Sequence, residues 1–205
     1  MRGKLISTIV MIAAFFHPFA IWANVICEQL VQAGSAATFA LGQSFTTPAG
    51  GPWNNLAFNW FDTGGAPNPG VPNPIAAGTL FLLNQQYLGT PGALSAATAG
   101  YVAQSQSIAG GVYIFNSNVA VQPNSVYFAY TNQAVPNNSG DGNVIAGSAY
   151  GDIGAGGTYA LLGGSIDARF RLQGSVIPEP SGMLLAVSGV AAGLLGRKRT
   201  TIFRR

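Results

Sequence analysis

Acid–base and nucleophilic chemistry has little to work with between residues 24 and 175. That stretch holds the carboxylates Glu28, Asp62, Asp141, Asp152 and Asp167, one thiol at Cys27, and neither histidine nor lysine. The single histidine, His17, lies in the first 23 residues. Enzymatic catalysis needs a positioned acid, base or activated nucleophile. A glycosidase-like carboxylate pair drawn from Asp62, Asp141 and Asp152 is the arrangement this set allows. No second signal accompanies it, and the expectation is a protein without catalytic residues.

Three local patterns come close to known sites and miss. Asn137 to Asn143 is oxygen-rich, but calcium takes six to eight oxygens, usually with several carboxylates, and this stretch supplies Asp141 alone. An exposed hairpin turn accounts for the same residues. Gly151 to Gly157 has no lysine after its glycines and no following helix, so it fits neither a dinucleotide nor a P-loop pattern. Gly147 to Gly151 lacks the spacing of a nucleophile elbow. Cys27 has no partner for a disulfide and too few companions for zinc, and reads as a small apolar residue in the first strand. No cofactor or metal is expected.

The rings offer a different chemistry, stacking on sugars. Trp60, Phe61, Tyr101, Tyr113, Tyr127, Tyr150 and Tyr159 supply ring surfaces, and most of these are expected in the core. Trp53, in Gly51-Pro52-Trp53 ahead of a strand, is the candidate expected to be exposed and to stack on a glycan.

The elements that would position these groups are strands. Short β-like runs bounded by Gly, Pro, Asn and Ser recur from Ala37 to Gln173, at 37–46, 55–61, 78–84, 101–107, 111–115, 125–131, 144–150, 158–162 and 165–173. Alternation predicts that Ile166, Ala168, Phe170 and Leu172 face a core while Asp167, Arg169, Arg171 and Gln173 face water. Leu56/Phe58/Trp60 and Val126/Phe128/Tyr130 are expected to point inward in the same way. About nine strands with one wet face predict an all-β, antiparallel, jelly-roll-like β-sandwich.

Charge is concentrated at the ends. Of nine Lys and Arg residues, seven are Arg2, Lys4, Arg197, Lys198, Arg199, Arg204 and Arg205, so the region 24–176 carries Arg169 and Arg171 against five carboxylates. A nucleic-acid partner would need a basic stripe there, and none exists. Arg2 and Lys4 precede the apolar run Leu5 to Phe16, then Pro18 and Ile21-Trp22-Ala23, the three parts of a secretory signal. This twelve-residue run, interrupted only by Ser7 and Thr8, makes a helix of about 18 Å, too short for a bilayer core of about 30 Å. Cleavage is expected between Ala23 and Asn24.

At the other end Pro178-Glu179-Pro180 precedes an uncharged run, Gly182 to Gly196, about 22 Å as a helix and short for a stable span, and the basic tail from Arg197. Glu179 suits the positive end of a helix dipole, and the basic tail is expected to stay cytoplasmic. This order resembles the PEP-CTERM sorting signal. Pro178, Glu179 and Pro180 match its motif, and Arg197, Lys198 and Arg199 match its basic cluster. The segments 39–47, 56–60, 78–83 and 126–130 also resemble pieces of ectodomains common in that group.

The resemblance implies processing by an exosortase in the inner membrane of a Gram-negative bacterium that makes extracellular polysaccharide. The chain then divides into a signal helix (1–23), a β-sandwich ectodomain (24–175) and a sorting segment (176–205) with a transmembrane helix over 182–196 and a tail over 197–205. The expected role is a non-catalytic structural protein of the cell surface or extracellular matrix. The alternative is a carbohydrate-binding or adhesive sandwich delivered in the same way.

Overall fold

The computed structural model describes residues 24–30, 37–62, 73–138, 140–141, 147–153, 157–163 and 167–178. The signal segment with Ala23, the residues Glu179 and Pro180, the helix expected over 182–196 and the tail with Arg197, Lys198 and Arg199 lie outside the described residues. Among the described residues no helix is long and apolar enough to cross a membrane.

Two six-stranded sheets hold most of the strand residues among the described residues. The first runs in the order β1 (Asn24–Gln29), β14 (Phe170–Val176), β3 (Trp53–Phe61), β8 (Val112–Ile114) and β7 (Ser107–Ala109), with β4 (Pro74–Ile75) added to β3. The second runs β12 (Ala160–Leu161), β11 (Ala149–Gly151), β2 (Ala37–Thr46), β9 (Val126–Asn138), β5 (Leu80–Leu83) and β6 (Tyr101–Gln104). A separate pair joins β10 (Gly140–Asp141) to β13 (Asp167–Ala168). Neighbouring strands pair antiparallel throughout.

The fold is all-β and sandwich-like, as the alternation predicts, but it uses more than nine strands. β1, β4 and β10 fall outside the expected runs, and β4 and β10 are two residues each, too short to leave a period in the sequence. The expected strand 165–173 divides at Arg169 into β13 and β14.

The inner faces of the two sheets meet in one apolar core. Phe45 of β2 lies 5.9 Å from Phe170 and 6.5 Å from Phe58, which stack on each other at 5.6 Å with their planes 7° apart. Leu56, Phe58 and Trp60 point inward as expected. β9 reverses the expectation: Tyr127 and Ala129 face the inter-sheet core, whereas Val126 is exposed and Phe128 and Tyr130 lie on the opposite face. That outer face is covered too, because Tyr87, Leu94 and Tyr159 close over Phe81, Leu83 and Tyr130. A strand packed on both sides has no polar face, so Val126 to Tyr130 carries no parity signal.

Tyrosine hydroxyls fasten the loops to these sheets. Tyr113 both accepts from the Ala77 amide and donates to the Ala77 carbonyl, each at 2.8 Å. Tyr130 accepts from the Tyr87 amide at 3.1 Å, and Tyr127 accepts from the Gln122 amide at 2.9 Å. Tyr113→Phe keeps the ring and removes both bonds to Ala77. We expect a loss of about 1–2 kcal/mol, read as a lower urea midpoint with an unchanged denaturant slope. An unshifted midpoint would show that water satisfies Ala77 instead.

Candidate functional site

The two ends of the described fold leave from one place. In β1, Asn24 stands opposite Gly174 of β14, so the start of the first strand and the end of the last share one end of the first sheet. Further along the pair, Glu28 faces Arg171 directly, with a 2.6 Å bond from Arg171 Nε to the Glu28 carboxylate. The Arg171 guanidinium also lies 5.6 Å from the centre of the Phe61 ring. Both partners of the ion pair are about a third exposed, which limits it to about 1 kcal/mol or less. After β14 the Ile177 amide bonds the Pro52 carbonyl at 2.8 Å, and Pro178 follows exposed. The chain is therefore held to the sheet up to the residue at which the Pro-Glu-Pro motif begins.

Trp53 is not the exposed platform that its setting predicts. It is buried, 4 % exposed, and packs in the inter-sheet core. Its backbone exchanges two hydrogen bonds with Val121, at 3.0 and 2.9 Å. Parity explains the difference. Between the pairs Ala57↔Gln173 and Asn54↔Ser175 two residues of β3 oppose one of β14, and Asn55 adopts φ of 50°. This bulge turns Trp53 onto the same face as Leu56. Gly174 fills the single position opposite, where a Cβ would come within 2.9 Å of the Asn54 carbonyl.

The carboxylates are dispersed in structural bonds. Asp62 accepts from the amide and the side chain of Asn73, at 3.3 and 3.2 Å. Asp152 accepts from the Ala40 amide at 2.9 Å. Asp167, expected in water, is fully buried and accepts from Gln43 Nε2 at 2.7 Å. Arg169 is buried against expectation as well, donating to the carbonyls of Leu30 and Asp62 at 2.9 and 2.6 Å. The backbone of Asp141 pairs with Asp167 in the β10–β13 ladder, and residues 139, 142 and 143 of the expected turn lie outside the described residues. Among the described residues no three His, Cys, Asp or Glu side chains gather as metal ligands. Cys27 lies in β1 as expected, where burial first and the Glu28 charge second push its thiol up to about 12.

Gln43 is the polar residue that sequence reasoning passed over. It sits in the Gln-Ser-Phe stretch of β2 and is completely buried between the sheets. Only a glutamine at an inward position of an apolar strand hinted at it. No family model matches the chain, and no curated protein or solved structure matches it.

Proposed function

We propose that this chain is an exported, non-catalytic structural protein of the cell surface or extracellular matrix, sorted through Pro178, Glu179 and Pro180. In this reading a signal helix over 1–23 is cleaved between Ala23 and Asn24. The sandwich, jelly-roll-like in its connections, forms outside the inner membrane. A transmembrane helix over 182–196 and the basic stop Arg197, Lys198 and Arg199 hold the motif at the outer face for an exosortase. Extracellular polysaccharide is the expected surrounding of the released domain.

The observation that supports this reading best is the shared exit. β1 starts at Asn24, beside the end of β14, and the last tie to the sheet is made by Ile177, one residue before the motif. A processing enzyme needs an extended, accessible backbone. Proline at 178 and 180 keeps that stretch from starting a helix early. The folded domain ends close enough to the motif to leave no slack chain between them.

Replacing Pro178, Glu179 and Pro180 by Ala is expected to leave export intact and strand the protein in the inner membrane with its tail attached. Truncation from Arg197 onward should weaken retention and let unprocessed chain leak outward. Intact mass and cell fractionation in a host carrying an exosortase read both results, and the same spectra should place the N terminus of exported material at Asn24. Equal processing and release of wild type and the triple variant would reduce the motif to a linker.

A further inference from the structure

β6 ends the second sheet, and an open groove of about 500 Å3 runs beside it, within the range of roughly 300–1,000 Å3 typical of small-molecule sites. Its lining includes Tyr101, Gln104, Ser105, Gln106, Asn116 and Val119. Ser105 turns its backbone toward β5, donating to the Leu80 carbonyl at 2.8 Å, while its hydroxyl accepts from the Leu80 amide at 3.0 Å. Alternation in an antiparallel ladder then directs the Gln104 N–H and C=O away from β5, into the groove. The Gln106 backbone amide bonds the Ile114 carbonyl at 2.8 Å, which ties the end of this stretch to β8.

The lining is uncharged, and it mixes donors with acceptors. Gln104 and Gln106 are exposed side-chain amides. Asn116 uses its carbonyl oxygen to accept from the Asn118 amide at 3.1 Å, which leaves its NH2 as a donor. Tyr101 is half-buried, so part of its ring is accessible. We propose that this groove binds a neutral oligosaccharide, with Gln104, Gln106 and Asn116 bonding hydroxyls and Tyr101 stacking on a sugar face.

Hydroxyls both donate and accept, as amides do, and sugar C–H faces match an aromatic ring. An acidic glycan would lose hydration here without gaining a cation. An extended peptide added to β6 would want apolar pockets for alternate side chains, and the exposed positions here are amides. The proposal concerns the domain's surface and stands independently of how the chain is delivered.

Full-length protein in detergent should be titrated calorimetrically with cello-, xylo- and manno-tetraose, an oligogalacturonate and a β-forming peptide. At least one neutral tetrasaccharide is expected to bind, with affinity insensitive to added salt. The double variant Gln104→Ala/Gln106→Ala, made at exposed positions that leave the core intact, should weaken it about tenfold or more. Tyr101→Phe should retain binding, and Tyr101→Ala should lose it. No binding by any neutral sugar overturns the proposal, as does binding that survives the double substitution. Salt-sensitive preference for the oligogalacturonate overturns it in favour of an acidic ligand. Peptide binding with protection of the Gln104 amide from exchange overturns it in favour of strand addition.

Discussion

Alkaline titration is expected to unfold this domain cooperatively between about pH 11 and 13, with tyrosinate absorbance appearing in step with the loss of sheet. The cause is the set of phenols packed under loops and between sheets. Burial pushes Tyr113 up from 10.0 to about 12, against a smaller lowering by its bond to Ala77. Tyr130 and Tyr159 are raised for the same first reason, with bonds to Tyr87 and Thr131 acting the other way. An acid whose pKa is raised by folding contributes stability that is fully present below its unfolded value and is lost as pH climbs through the folded one. Each such phenol therefore removes about 1.4 kcal/mol per pH unit above pH 10, and three together about 4 kcal/mol per unit. A domain holding about 5–15 kcal/mol exhausts that within a few units. Cys27 adds to the same trend, since its thiol is raised from 9.0 to about 12. Stopped-flow pH jumps with absorbance and circular dichroism would separate the events. If Tyr113, Tyr130 and Tyr159 ionise near pH 10 while the sheet signal persists, these phenols are more accessible than their packing implies.

Strands β2 and β3 show how far the sequence could be read. Ala37–Thr46 coincides with β2 to the residue, because ten residues bounded by turn formers carry their own period. The inward triad Leu56, Phe58 and Trp60 was legible for the same reason. Trp53 was not, since its direction depends on a bulge defined by pairing with β14, more than a hundred residues away. Asp167 and Arg169 failed alike. Their alternation with Ala168 and Phe170 is regular, but the strand breaks between them and each side chain finds backbone or amide partners that only the tertiary structure supplies.

Of the candidate site, the motif and its flanks were visible in the order of Pro178, Glu179, Pro180 and the basic tail. That the chain leaves the sheet beside Asn24 was not, because the β1–β14 pairing joins residues about 145 positions apart in sequence. The groove beside β6 was equally hidden. Its lining comes from the sequence on either side of the β7–β8 hairpin, and amides such as Gln104 and Asn116 look like ordinary surface residues until the fold brings them to one groove.

Gln43→Leu is expected to destabilise the domain by about 3–5 kcal/mol, well beyond the cost of an ordinary hydrogen bond. The Gln43 amide is spent completely inside the sandwich. Its Nε2 donates to the Asp167 carboxylate at 2.7 Å and to the Ser44 carbonyl at 2.9 Å, and its Oε1 accepts from the Ala168 amide at 2.8 Å. In effect one side chain of β2 serves as the strand partner that holds β13 against the core. Leucine has nearly the same volume, so packing changes little, but the buried carboxylate loses a donor and the Ala168 amide loses its acceptor. Equilibrium urea unfolding measures the cost, and a double-mutant cycle identifies its source. Asp167→Asn made in the Gln43→Leu background should recover part of the loss, because a side-chain amide suffers less from a missing donor than a buried carboxyl group does. A loss below about 1 kcal/mol for Gln43→Leu, or a double variant as unstable as the sum of the two single ones, would mean that β13 is held by the remaining contacts of Asp167 and not by Gln43.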